Sequence, residues 1–210
     1  MAASDLRSNV CKRLSLHGDA NWLTAAGFAA ALAALSLAGP GAQAWLRYER
    51  TAVLAGEFWR LATGHFVHGG GAHLAWNLAG AALVWWLFAA EFTRRGWFLV
   101  MLASTTVIDL GFILFEPQIE WYVGLSGVLH GCMAAGLAAW LRKDRDPLTV
   151  AVAVVFAAKL AWEHFAGPLS FTSATLSLPV VVEAHSYGAI GGLLAALLIL
   201  RREPRGAASL

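Results

Sequence analysis

Charge is scarce in this chain: Asp, Glu, Lys and Arg make up 13% of its 210 residues, against 59% hydrophobic. A soluble domain of this size carries about a quarter charged residues. The deficit excludes an ordinary water-facing surface and points to lipid as the solvent. Net charge is small too, at +2, so no nucleic-acid partner is expected. Cysteine is almost absent. Cys11 lies near the N-terminus and Cys132 inside an apolar run, a poor pair for a disulfide or a metal site. Neither HExxH nor a carboxylate-rich pattern occurs, so no metal and no cofactor is expected. The grouping that keeps a metal reading open is His65, His68 and His73.

Apolar length, by contrast, is plentiful. A spanning helix needs about 20 mostly apolar residues. Six stretches approach this, at about 22–38, 73–90, 97–115, 124–141, 148–166 and 181–200. The predicted fold is therefore an all-α membrane protein, one six-transmembrane-helix domain over 22–200. A segment at 1–21 precedes it and a basic tail at 201–210 follows. Ala42-Gln43-Ala44 after the first stretch leaves a cleaved signal peptide open, while the basic lead fits a retained first span. Orientation follows from Lys and Arg in the connections. Arg7, Lys12, Arg13, Arg94, Arg95, Arg142, Lys143, Arg145, Arg201, Arg202 and Arg205 fall on one side; Arg47, Arg50 and Arg60 fall on the other. Both termini are thus expected in the cytoplasm.

Two outer loops stand out. The first, about 39–72, mixes Trp45, Tyr48, Phe58, Trp59 and Phe66 with polar residues, which suits a segment lying in the membrane interface. The last, about 167–180, sets Gly167, Pro168 and Pro179 around a Ser/Thr-rich stretch and reads as a lid or a plain connector.

Polar side chains within spans cost a few kcal/mol each by insertion scales, so they face a cavity or a partner. Here His73, Asn77, Asp109, Ser126, His130, Lys159, Glu163, His164, Glu183 and His185 all fall in the outer leaflet. A transporter would place such groups near the midplane. One-sided clustering predicts a wet pocket open to the outer face. Three patterns in it carry chemistry. Gly124-Leu125-Ser126-Gly127 puts a hydroxyl at a helix start, where unpaired amides favour developing negative charge. Ala184-His185-Ser186-Tyr187-Gly188, with Gly192 one turn on, has the small-xxx-small spacing also found at Gly127 and Gly131. Two such helices could bring Ser126 within reach of His185 as general base. His73 and Asn77 share one helix face, as side-chain donors to an oxyanion must.

Together these residues resemble the rhomboid family of intramembrane serine proteases. The match runs from Trp59-Arg60 and Thr63 through His68 and His73-xxx-Asn77 to Gly124-Leu125-Ser126-Gly127 and Ala184-His185-xx-Gly188-xxx-Gly192. The string Tyr122-Val123-Gly124-Leu125-Ser126-Gly127-Val128-Leu129-His130-Gly131 is similar to the rhombosortase branch, whose members are associated with bacterial proteins bearing a C-terminal Gly-Gly, hydrophobic helix and basic tail. The resemblance implies a Ser–His dyad without an acid, Ser126 as nucleophile and His185 as base. It assigns the oxyanion to His73, Asn77 and the Ser126 backbone N–H. It further implies transmembrane or C-terminally anchored protein substrates, and a place among the lipids of a bacterial inner membrane with the site facing the periplasm. One departure is His130, where many rhomboids carry an aromatic residue that stacks on the catalytic histidine. It could support His185 or rival it as base. Asp109 could orient a histidine or pair with Lys159. The competing readings are an inactive rhomboid-like binder and a transporter or metal-binding membrane protein.

Overall fold

The computed structural model describes residues 22–169 and 179–202. The expected N-terminal segment 1–21, most of the loop at 167–180 and the tail beyond Arg202 lie outside the described residues. Helix α1 (Trp22–Leu37) turns into α2 (Gly39–Leu46) through a bend of 108°. Gly39 makes the corner at φ +87, a region other residues avoid, and Pro40 starts the new helix. Then come β1 (Tyr48–Glu49), α3 (Arg50–Leu54) and α4 (Trp59–Thr63). Helix α5 (Gly71–Phe88) ends in a 3-10 turn at Ala89–Glu91, and α6 (Arg94–Phe115) follows. After β2 (Trp121–Tyr122) come α7 (Ser126–Lys143), α8 (Pro147–Ala166) and α9 (Val182–Arg202). Side-chain caps mark two starts: Thr93 Oγ1 accepts from Gly96 N–H, and Asp146 accepts from Leu148 and Thr149 N–H.

Among the described residues four helices, α5, α6, α8 and α9, are long and apolar enough to cross a membrane, with a fifth span if the bent α1–α2 pair counts as one. Helix α7, expected from the sequence as a span, is not among these candidates in the described residues. Gly127, Val128, Gly131, Cys132, Ala134 and Ala135 are buried along it, so neighbouring helices cover much of its length. Small residues make that possible. A Cβ on Gly188 would lie 2.0 Å from the Gly127 carbonyl oxygen, and one on Gly192 would lie 2.0 Å from that of Gly131. Helices α7 and α9 therefore touch backbone to backbone. Helix α6 closes against both: a Cβ on Gly191 would come within 2.6 Å of the Ala103 carbonyl oxygen. By contrast, Thr149 and Glu163 are the buried residues of α8, while Val154, Val155, Trp162 and Phe165 stand exposed.

The segment between α1 and α5, expected as an interfacial outer loop, is a folded cap. The buried Arg60 donates to the carbonyls of Ala44 (2.8 Å) and Arg47 (3.0 Å) and pairs with Glu57 (2.7 Å). Thr63 Oγ1 donates to the Leu46 carbonyl at 2.5 Å, and Gln43 Nε2 to that of His68. Arg50 reaches across to the C-terminal carbonyls of α6, Phe112 (2.8 Å) and Ile113 (3.0 Å). Trp45 and Trp59 remain exposed, their tilted rings 5.4 Å apart, as amphipathic rings at a lipid interface would.

Candidate active site

The cap holds the chain leading into α7. Tyr48 pairs with Tyr122 in the β1–β2 ladder, Arg50 N–H donates to the Glu120 carbonyl (2.8 Å), and Gly124 N–H donates to that of Gly64 (3.0 Å). The buried Tyr122 hydroxyl donates to the Gly124 carbonyl at 2.6 Å. Gly124 itself sits at φ +124, and a Cβ there would lie 2.6 Å from His73 Nε2. No other residue meets both demands. This pinned turn delivers Ser126 as the first residue of α7.

His185, in the first turn of α9, meets it. His185 Nε2 lies 3.0 Å from Ser126 Oγ, across the glycine-faced α7–α9 contact. The other ring nitrogen, Nδ1, is 2.8 Å from Glu163 Oε2. A carboxylate only accepts, so Nδ1 carries the proton and Nε2 presents its lone pair to the serine hydroxyl. The His130 ring stacks on His185 at 4.0 Å between centroids and 16° between planes. His130 Nδ1 lies 2.7 Å from the Ser126 carbonyl oxygen, which can only accept, and Nε2 receives the Lys159 ammonium. Both nitrogens of His130 are thus engaged elsewhere, and His185 is the imidazole whose nitrogen faces the hydroxyl.

His73 and Asn77 lie on the same face of α5, toward Gly124 and Ser126. Gly69 N–H approaches His73 Nδ1 at 3.4 Å. That leaves Nε2 as the protonated, donating nitrogen on the side of the serine turn. Asn77 Nδ2 donates one hydrogen to the His73 carbonyl at 3.1 Å; an amide has a second to offer. His73, Asn77, Ser126 and His185 all line one cavity of about 700 Å³, whose apolar walls include Trp76, Leu83, Val155 and Phe156. The space lies between α5 and α8. A hydroxyl beside a lone-pair nitrogen, with N–H donors opposite, is an arrangement able to attack a carbonyl and hold the resulting oxyanion.

Asp109 does meet a histidine, but it is His65 and not His185. Its carboxylate is 3.2 Å from His65 Nε2, and the pair ties the cap to α6 rather than serving His185 or Lys159. The three histidines of the metal reading separate in the same way: His65 goes to Asp109, while His68 and His73 pack ring to ring at 5.2 Å. Among the described residues, the group whose donor atoms converge is His130, Glu163 and His185. Glu163 is the residue that sequence reasoning left without a role. Its spacing of four from Lys159 on one helix was the available signal, and their ion pair measures 2.6 Å. The link from Glu163 to His185 had none.

His68 is 1% exposed, and neither ring nitrogen has a partner. Burial first, and then the neighbouring His73, lower its pKa to about 4. A histidine held neutral in the fold binds a proton more readily once unfolded, so stability is full above about 6.5 and falls as pH drops toward 4. His68→Phe is expected to remove up to about 3 kcal/mol of this acid sensitivity. Thermal unfolding of both proteins in detergent between pH 4 and 7 checks it; parallel curves would refute the assignment.

Residues 55–202 match the Rhomboid domain. Over 133 residues the chain is 29% identical to the rhomboid protease GlpG of Salmonella choleraesuis (strain SC-B67) and to that of Salmonella typhi, covering 62% of this chain and 46% of each relative. It thus spans a little under half the length of these curated relatives.

Proposed function

The chain belongs to the rhomboid family, and from that premise we propose that it is an intramembrane serine protease. The observation that carries this reading is Ser126 Oγ at 3.0 Å from His185 Nε2, inside a cavity shared with His73 and Asn77. Ser126 attacks the scissile carbonyl while its proton passes to His185 Nε2. The C–O bond forms, and negative charge collects on the former carbonyl oxygen. His73 Nε2–H, the second Asn77 N–H and the Ser126 backbone N–H receive it. His185 then returns the proton to the leaving amine as the C–N bond breaks, giving an acyl-enzyme that water hydrolyses.

The substrate class is a membrane-anchored polypeptide. It reaches the serine through the space between α5 and α8, whose rims are apolar. The topology of this reading places both termini in the cytoplasm of a bacterial inner membrane, with α7 completing six spans and the serine toward the outer leaflet. The glycine-rich string around Ser126 supports a rhombosortase-type reaction, trimming a C-terminal anchor that follows Gly-Gly.

Labelling the detergent-solubilised full chain with a fluorophosphonate tests the nucleophile. Wild type is expected to label and Ser126→Ala to stay unmodified; equal labelling of both defeats the proposal. Co-expression with a protein bearing a Gly-Gly, apolar helix and basic tail, followed by mass spectrometry of its released C-terminus, tests the substrate class. His73→Ala and Asn77→Ala are each expected to lower kcat by about 10²–10³ with KM nearly unchanged, because the lost hydrogen bond is made mainly in the transition state. A change confined to KM would move both residues from the oxyanion to substrate binding.

A further inference from the structure

The network behind His185 goes beyond a two-residue apparatus. Glu163 is 3% exposed, and its Oε2 accepts at 2.8 Å from His185 Nδ1 and at 2.6 Å from the Lys159 ammonium. Lys159 Nζ also meets His130 Nε2, and lies 3.4 Å from His185 Nδ1. The His130, Glu163 and His185 donor atoms lie within 4.8 Å of one another, a cluster that could hold a cation. Here the ammonium of Lys159 stands beside all three. It gives the buried carboxylate a permanent counter-charge, which a lone carboxylate in an apolar helix bundle would lack.

We propose that Glu163 is a positioning residue for the protease reaction, the acid of a Ser126–His185–Glu163 triad held in place by Lys159. This rests on the reading of Ser126 and His185 given above. Glu163 does three things in it. It selects the tautomer with hydrogen on Nδ1, so that Nε2 can take the serine proton. It fixes the ring angle, jointly with the stacked His130. It also faces the imidazolium that forms once that proton arrives, and the negative charge lowers the energy of that state. The nucleophile–acid–base order along the chain, Ser126, Glu163, His185, is the order used by soluble α/β-hydrolases on an unrelated fold. The geometry rather than the ancestry is what the two share.

The placement has a structural counterpart. Helix α8 buries Thr149 near its start and Glu163 near its end, while its apolar face looks outward. The Lys159–Glu163 pair is therefore where the outer half of α8 attaches to His130 on α7 and His185 on α9. Substitution of Glu163 could loosen α8 as well as disturb the proton path, so the test must separate the two.

The probe is the fluorophosphonate, used on full-length protein in detergent, with its maximal labelling rate and half-saturating concentration measured separately. Amide-for-acid replacement in a soluble serine protease lowers kcat by about 10⁴. Because Lys159 still favours an accepting oxygen at this position, Glu163→Gln is expected to lower the maximal labelling rate at least about 100-fold. Half-saturation should shift by less than about threefold. Glu163→Ala should fall similarly and recover at least about tenfold on adding formate, a carboxylate small enough for the vacated space; a purely structural role would show no such rescue. Glu163→Gln labelling within about threefold of wild type overturns the triad while leaving the protease reading intact. So does a Glu163→Ala defect that formate does not move. A wild type that never labels overturns the protease reading, and the triad with it.

Discussion

Ser126→Ala is expected to reduce cleavage of a membrane-anchored substrate by roughly 10⁶-fold, and His185→Ala by about as much, with the double variant no worse than either alone. The non-additivity is the informative part. A hydroxyl at 3.0 Å from an imidazole nitrogen acts as one unit: without the base the oxygen keeps its proton, and without the oxygen the base has nothing to activate. Both side chains sit in an assembled cavity, so the single variants should insert and fold normally. Product release in proteoliposomes, quantified by mass spectrometry, provides the measurement. Normal turnover by His185→Ala together with inactivity of His130→Ala would move the base to the other ring of the stacked pair.

A second large loss is expected where no chemistry occurs. In Gly188→Val the new Cβ would lie 2.0 Å from the Gly127 carbonyl oxygen. The obstacle is backbone one residue beyond Ser126, so no rotamer relieves it. Helices α7 and α9 must separate. Overpacking in a well-packed core costs about 1–3 kcal/mol, occasionally more, and a backbone clash belongs at the upper end. Separation also opens the Ser126–His185 hydrogen bond, which spans the same contact. We therefore expect at least about 3 kcal/mol of destabilisation, accompanied by loss of labelling at Ser126. Gly41→Ala serves as the control, since nothing lies within 4 Å of its added Cβ. Equal unfolding midpoints for the two variants would show that α7 and α9 are not held at that distance.

These two results bear on different levels of organisation. The serine turn depends on the cap: the Gly124 N–H bond to Gly64, the Arg50 N–H bond to Glu120 and the Tyr48–Tyr122 pairing hold it, each joining residues far apart in the sequence. The Ser126–His185 contact depends on glycine tiers between helices. Loss of either leaves the residues present and the geometry gone.

Much of this was readable from residue order because it is local. Apolar runs mark helices, since a backbone in lipid must satisfy its own hydrogen bonds. His73 and Asn77 share a face because a helix repeats every 3.6 residues. Gly188 and Gly192, spaced four apart, signal close approach for the same reason. Pairings between elements were not readable. Asp109 meets His65, and Glu163 meets His185, at sequence separations of 44 and 22. Helix periodicity says which face a carboxylate occupies, but not which neighbour is rotated toward it. That rotation is set by packing, and here by glycines letting α7, α9 and α6 close upon one another. The same packing buries much of α7 against its neighbours. Local chemistry therefore belongs to the order of residues, whereas the partner of each buried charge belongs to the assembled bundle, where distance alone decides which groups meet.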